Sequence, residues 1–437
     1  MPYSGSKLHL IGIQMTTNNM TADSGDMSPK KRFFGDKFGL MINVLSTLLT
    51  SMSMGMLAIL VPVHLASFPA NSDSAIGTAL SFETIASLVI CLLIPSILKH
   101  TKLALGIVGS TLLRLPTILL FPYFSELGML IPIIFVHAVG CYYIFLMLQI
   151  WVNSIPFKKN KGLMIALYST SISVGFAVGP ILINVLNNHP MMFAELTNSI
   201  LASTTAFVGH APVVDTARLF VIAMLVCALS VLPLMVYLAK IPKARFNDGS
   251  SIFKTIMENK GAMFSIAMAG VSQFGVAAFI VIYGMKNGLS FSDAALLLSC
   301  FMFGSLLLEV PIAWVSDYFD RRFFIVWCAF ACILCAVYLP IAIYTPIQAW
   351  ILVFIWGGVI SGIYSVSLTL IGERYTSEDD MIASNAGYSL MESIGGTVGI
   401  TAIGFSMQHL GTDGMPYIIM FASILYFSFA LTRYPVE

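Results

Sequence analysis

Charge is what this chain has least of. Only 10% of its 437 residues are Asp, Glu, Lys or Arg, where a soluble domain carries about 25%. Its 22 basic and 21 acidic side chains are too few to cover a 47.5 kDa globule. A cytosolic enzyme, a nucleic-acid binder and a disordered chain are excluded on that ground. Cysteine is sparse and badly placed for disulfides: Cys91, Cys141, Cys227, Cys300, Cys328, Cys332 and Cys335 all fall in apolar runs. Cys328, Cys332 and Cys335 share one helical face, but no His or acid accompanies them, so they are expected as small buried hydrophobes rather than metal ligands. The first 38 residues are polar and lack the apolar core of a signal peptide. A HExxH helix, a phosphate-binding loop and an Asp-rich metal pair are missing too, so no metal or cofactor is expected and ATP-driven transport is excluded.

What is abundant is hydrophobic sequence, 58% of residues with a mean hydropathy of +0.89. Apolar runs of about 20 residues cross a ~30 Å hydrocarbon core. Twelve are found, near 39–66, 76–98, 103–124, 128–152, 162–186, 217–239, 261–285, 291–315, 323–343, 348–371, 381–409 and 414–432. The basic residues then set the orientation. Placing both termini inside gathers Lys7, Lys30, Lys31, Arg32, Lys37, Lys99, Lys102, Lys158, Lys159 and Lys161 on one side. Lys240, Lys243, Arg245, Lys254, Lys260, Arg321, Arg322, Arg374 and Arg433 join them, nineteen of the 22. Lys286 and Arg218 are left outside and Arg114 within a span. That is the positive-inside pattern. The outer segment 187–216 is the one long external loop, expected as a plain loop or an interfacial element.

The second half matches the first at an offset of 220. Ser72-Asp73 meets Ser292-Asp293, each expected as a helix N-cap. Lys102 meets Arg322; Tyr168, Gly175 and Gly179 meet Tyr388, Gly395 and Gly399. A duplicated unit of six helices keeps its orientation, so the repeat is parallel, with a substrate path expected between the halves. The expected organisation is a tail over 1–38, a six-helix bundle over 39–239, a basic linker over 240–260 and a second bundle over 261–437. Paired glycines at Gly175 and Gly179, Gly395 and Gly399, and Gly358 and Gly362 clear one helix face for a neighbouring backbone, whether for static packing or for sliding.

The most specific run is Pro311-Ile-Ala-Trp-Val-Ser-Asp317-Tyr-Phe-Asp320-Arg321-Arg322, between the eighth and ninth spans. Acids and guanidinium groups there can bridge helix ends on the inner face, contacts that would form when that side closes. This run resembles the loop signature of the major facilitator superfamily. Gln149-Ile-Trp151-Val-Asn153 with Lys161-Gly162, Leu308-Glu309-Val-Pro311, and the segments 362–374 and 383–395 are similar to a poorly characterised bacterial branch of it. The resemblance implies an all-α integral membrane fold of twelve helices in two parallel six-helix repeats, in a bacterial inner membrane. It also shows departures. The first-half loop, Leu98-Lys99-His100-Thr101-Lys102, has no acid; His137 stands where many antiporters of the family place an Arg; Gln149 replaces an acid.

Ionisable groups inside a bilayer cost about 2.5–3.5 kcal/mol each at a helix centre unless paired. Glu392, Glu83 and Glu309 are the candidates for proton or cation coupling, in that order, because low dielectric favours a carboxyl's protonated form. Arg114 has Glu83 as its expected counter-ion, either as a structural pair or as a functional site. His137 is a weaker candidate, a lone helix His being more often packed and hydrogen-bonded. The function expected is secondary transport of a small organic solute by alternating access, as proton-coupled export, with protons and lipid as the other partners, no nucleic acid and a monomeric state. Proton-symport uptake is the alternative; a membrane enzyme or a transporter-like sensor is more remote.

Overall fold

The computed structural model describes residues 29–100, 103–154, 161–214, 216–237, 252–372 and 378–433. The tail before Pro29, Lys102, the Lys158–Lys159 loop, most of the 240–260 linker and Arg374 lie outside the described residues. The described residues form fifteen α-helices and one 3-10 turn. In chain order they are α1 (Pro29–Ala66), α2 (Asp73–His100), α3 (Leu103–Leu120), α4 (Leu127–Ser154), α5 (Lys161–Asn188), α6 (Ala194–Val208), α7 (Ala217–Leu229) and α8 (Val231–Tyr237). Then come α9 (Ile252–Glu258), α10 (Lys260–Lys286), α11 (Phe291–Ser316), α12 (Arg321–Ala342), α13 (Pro346–Gly372), α14 (Glu378–Leu410) and α15 (Gly414–Arg433).

Each expected span falls on helix. Among the described residues eleven helical stretches are long and apolar enough to cross a membrane, and α15 contributes a shorter apolar stretch, Gly414–Ala430. The sixth is split at Ser230 into α7 and α8. Pro233 lacks the N–H that would bond the Leu229 carbonyl, and its ring crowds that carbonyl. Helix α1 starts ten residues before the expected boundary, with Pro29 in the first turn, where its missing N–H costs nothing. Residues 29–38, expected as tail, are therefore helical. The external loop likewise contains a helix, α6, closed by Gly209 at φ 91°.

Helix caps refine the repeat. Ser72 Oγ accepts from the Ala75 N–H at 3.3 Å, as the expected cap of α2 should. In the second half the cap is Ser290, two residues before Ser292: its hydroxyl accepts from the Asp293 N–H at 3.1 Å and donates to Asp293 Oδ2 at 2.7 Å.

Helix pairings are the same in each half. Helix α1 packs on α5 as α10 does on α14; α2 packs on α4 as α11 does on α13; α3 packs on α7 as α12 does on α15. Two tyrosines anchor the correspondence. Tyr168 Oη on α5 donates to the Phe145 carbonyl of α4 at 2.9 Å. Tyr388 Oη on α14 donates to the Tyr364 carbonyl of α13 at 2.5 Å. The glycine pairs sit at the tightest approaches. A Cβ on Gly179 would lie 2.6 Å from the Met56 backbone nitrogen, and one on Gly399 2.7 Å from Val271 Cα. Gly175 and Gly395 are as crowded, against Leu48 and Ser51 of α1 and Ala267 of α10.

Candidate functional site

The halves meet along α2 and α14 and along α5 and α11, and the α2–α14 seam is built from small and hydroxylated side chains. At one end, Lys286 of α10 donates to both carboxylate oxygens of Asp73, the first residue of α2, at 2.5 and 2.6 Å. One turn further in, Gly77 faces Gly404, so closely that a Cβ on Gly77 would sit 3.0 Å from Gly404 Cα. Deeper still, Thr84 Oγ1 and Thr397 Oγ1 are 2.8 Å apart, and Ser393 donates to Ser87 at 3.0 Å. The seam is thus zipped from the Lys286 face to the membrane interior. Short side chains let two helices of opposite halves approach without interlocking bulk.

Glu83 and Glu392 come from opposite halves, each next in sequence to a seam residue. Glu83 precedes Thr84, and Glu392 precedes Ser393. Both act electrostatically on Tyr142 of α4. Neither carboxylate has a hydrogen-bond or ion-pair partner among the described residues. Cys91 lies in the field of Glu392, and so do Tyr364 and Tyr388, which pack edge to face at 5.0 Å. Glu309 of α11 acts on the same two tyrosines, and its carboxylate takes a short hydrogen bond from the Ser365 hydroxyl of α13. So two unpaired acids and one bonded acid are distributed across both halves at membrane depth. They offer negative charge to a proton or to a cationic group.

The expected Glu83–Arg114 pair does not form. Arg114 is fully buried and turns into the first half, where Cys141, Cys227 and His137 surround it. Its Nε, Nη1 and Nη2 have no hydrogen-bond partner of good geometry. Glu83 acts instead on Cys141 and Tyr142 of α4, while Arg114 follows the buried face of α3 with Ser110, Thr111 and Thr117. His137 is held by packing, as a lone helix His usually is. Its Nδ1 is 3.0 Å from Thr117 Oγ1, its Nε2 is 3.2 Å from Cys141 Sγ, and its ring meets Phe121 edge-on.

In the loop run Arg321 donates to Asp317 at 2.7 Å, four residues apart, and Asp320 caps α12 by accepting from the Arg322 N–H at 2.8 Å. Both arginines make further interactions beyond these two. Among the described residues no cluster of three His, Cys, Asp or Glu has the geometry of a metal site. The sequence missed Tyr142, Thr84, Thr397, Ser87 and Ser393, uncharged residues on nearly uniform apolar helices. Lys286 was visible as an exception to the positive-inside pattern, and Asp73 is its reason.

The Major Facilitator Superfamily model matches residues 262–437. The whole-chain architecture is that of solved members. A bacterial homologue of the human lysosomal transporter Spinster, inward-facing and occupied, aligns with a TM-score of 0.70 over 94% of this chain and 98% of its own, at 14% identity. The fold is therefore that of these transporters, and the sequence of the second half is similar to the Major Facilitator Superfamily. The unoccupied inward-facing Spinster homologue gives 0.66 over 93% and 96%, at 13% identity. The nucleoside transporter NupG gives 0.70 over 92% of this chain and all of its own, at 11% identity. Among curated proteins, an uncharacterized MFS-type transporter of Bacillus subtilis, YfkF, is 22% identical over 176 residues. That alignment spans 40% of this chain and 39% of the relative's length.

Proposed function

We propose that this protein is a secondary transporter, not an enzyme, that exports a small organic solute in exchange for protons by alternating access. It would lie as a monomer in a bacterial inner membrane, with both termini cytoplasmic and the Lys286 face outside. The observation that carries the reading is that Glu83 and Glu392, one from each half, both act on Tyr142, with no cation paired to either among the described residues. With the Lys286 face outside, the contacts that zip the seam there would form the outer closure of the carrier. Opening it requires Asp73 and Lys286 to part and the Thr84–Thr397 and Ser87–Ser393 contacts to break. Any group bound to the acids would then be presented to the other side. A proton and a cationic solute compete for the same carboxylates, and that competition is the basis of antiport. Uptake by symport uses the same parts with both ligands bound together, and no observation favours it.

Purified protein in proteoliposomes with an imposed pH gradient tests the proposal. Solute flux should follow the gradient, with protons counter-moving, and Glu392→Gln should uncouple it. Flux that ignores the gradient, or a Glu392→Gln variant that behaves as the parent, would sink proton coupling.

A further inference from the structure

The repeat supplies a control for Arg114. At an offset of 218, the one that relates the helix caps Ser72 and Ser290, and not the 220 of the sequence match, the buried residues 110, 111, 114, 117 and 118 of α3 coincide with the buried residues 328, 329, 332, 335 and 336 of α12. Aligning α4 on α13 through Phe145 and Tyr364, the two carbonyls taken by the repeat tyrosines, sets His137 against Trp356. The second half therefore fills with Cys332 and Trp356 the place that the first half fills with Arg114 and His137. Both Cys332 and Trp356 are buried. Packing at this point is satisfied by a thiol and an indole, so packing does not explain a guanidinium.

A guanidinium keeps its proton in proteins, so burial cannot neutralise Arg114. Buried charges are paired or coordinated, and this one has no carboxylate in contact. Glu83, which acts on the other side of Cys141, forms no ion pair with it. The groups around it are the Cys141 and Cys227 thiols and the His137 imidazole, which Thr117 and Cys141 hold in place. We propose that Arg114 anchors a binding site for a small monovalent inorganic anion of halide size, in the core of the first half between α3, α4 and α7. The Cys141 S–H is the neutral donor beside it. Glu83 acts on the same Cys141 without pairing with Arg114, and the site does not depend on what the protein transports.

Thermal unfolding of the full-length protein in detergent, without solute, tests this. Chloride is titrated against gluconate, which is too large to enter, at constant ionic strength. The expected result is a melting temperature that rises by several degrees and saturates, the signature of binding to the native state alone. Bromide should act likewise. Arg114→Met should lose the response, and radioactive chloride should bind once per chain in the parent and not in the variant. A parent protein indifferent to chloride versus gluconate would overturn the proposal, and that arm needs no variant to fold. A saturating response that persists in Arg114→Met would overturn it as well, as would equal loss in Cys141→Ala and Cys328→Ala, since the latter lies in the other half.

Discussion

Lys286 and Asp73 carry the one ion pair seen between the halves among the described residues, and it is partly exposed on both sides. Such pairs are worth about 0.2–1 kcal/mol after screening. Lys286→Ala should therefore shift the balance toward the state open at that face by roughly 1.4-fold to fivefold, a range set by that energy. Thiol labelling of a cysteine placed near the mouth would measure the shift, and the charge-reversed double variant should restore the parent value. An unchanged labelling rate would remove the pair from the gate. The acids behave differently, because they act through occupancy rather than through closure. Glu83→Gln should abolish gradient-driven flux while leaving the melting temperature within a degree or so of the parent, since its carboxylate has no hydrogen bond to lose. A large loss of stability with coupling intact would reassign it to structure.

Helices in each half are keyed by the same two devices, a glycine pair and a tyrosine clamp. Neither device depends on charge, which suits a medium where charge is expensive. Gly395→Leu would drive a branched side chain into the Ala267 backbone of α10, an overpacking of about 1–3 kcal/mol or more. Lower yield and melting temperature are expected, with Gly109→Leu as the control, since a Cβ there meets nothing within 4 Å. Tyr388→Phe loses one hydrogen bond, the one to the Tyr364 carbonyl, and should cost about 1 kcal/mol. Tyr168→Phe should cost a similar amount by the same arrangement in the first half. Unequal losses would mean that the two clamps are not equivalent. Helix α6 shows the limit of helix-by-helix reasoning. It is polar enough to pass for loop, yet Tyr123 donates to its Leu201 carbonyl at 3.0 Å and Arg218 donates to the Pro190 carbonyl at 2.6 Å, tying the segment down.

At the scale of the molecule the seam must open and close once per cycle. A cysteine pair at positions 84 and 397, in a background without the native cysteines, should cross-link readily, because the two hydroxyls are 2.8 Å apart. Cross-linked protein should hold the seam shut and stop transport, and reduction should restore it. Transport that continues in fully cross-linked protein would show that the seam is not a gate. The loop acids are predicted to matter less than their conspicuous pattern suggests. Asp317→Ala breaks a local pair with Arg321 and should slow transport without abolishing it.

Much of this was written in the linear order of residues. Twelve apolar runs, the basic residues gathered on one side and the duplication follow from composition and spacing, because a bilayer demands long apolar helices and leaves charge at their ends. The three acids were visible for the same reason, since anything ionisable stands out against such a background. What the order of residues did not contain was direction around each helix. On spans apolar on every side, period says little about which face looks inward, so Glu83 was assigned to Arg114 although the two form no ion pair. Only packing in three dimensions decided that Thr84, Thr397, Ser87 and Ser393 join the halves, that Tyr142 stands between two acids, and that Lys286 crosses to Asp73. Those partners lie more than two hundred residues apart or carry no charge, and their meeting is set by helix tilt and close approach, which no local pattern records.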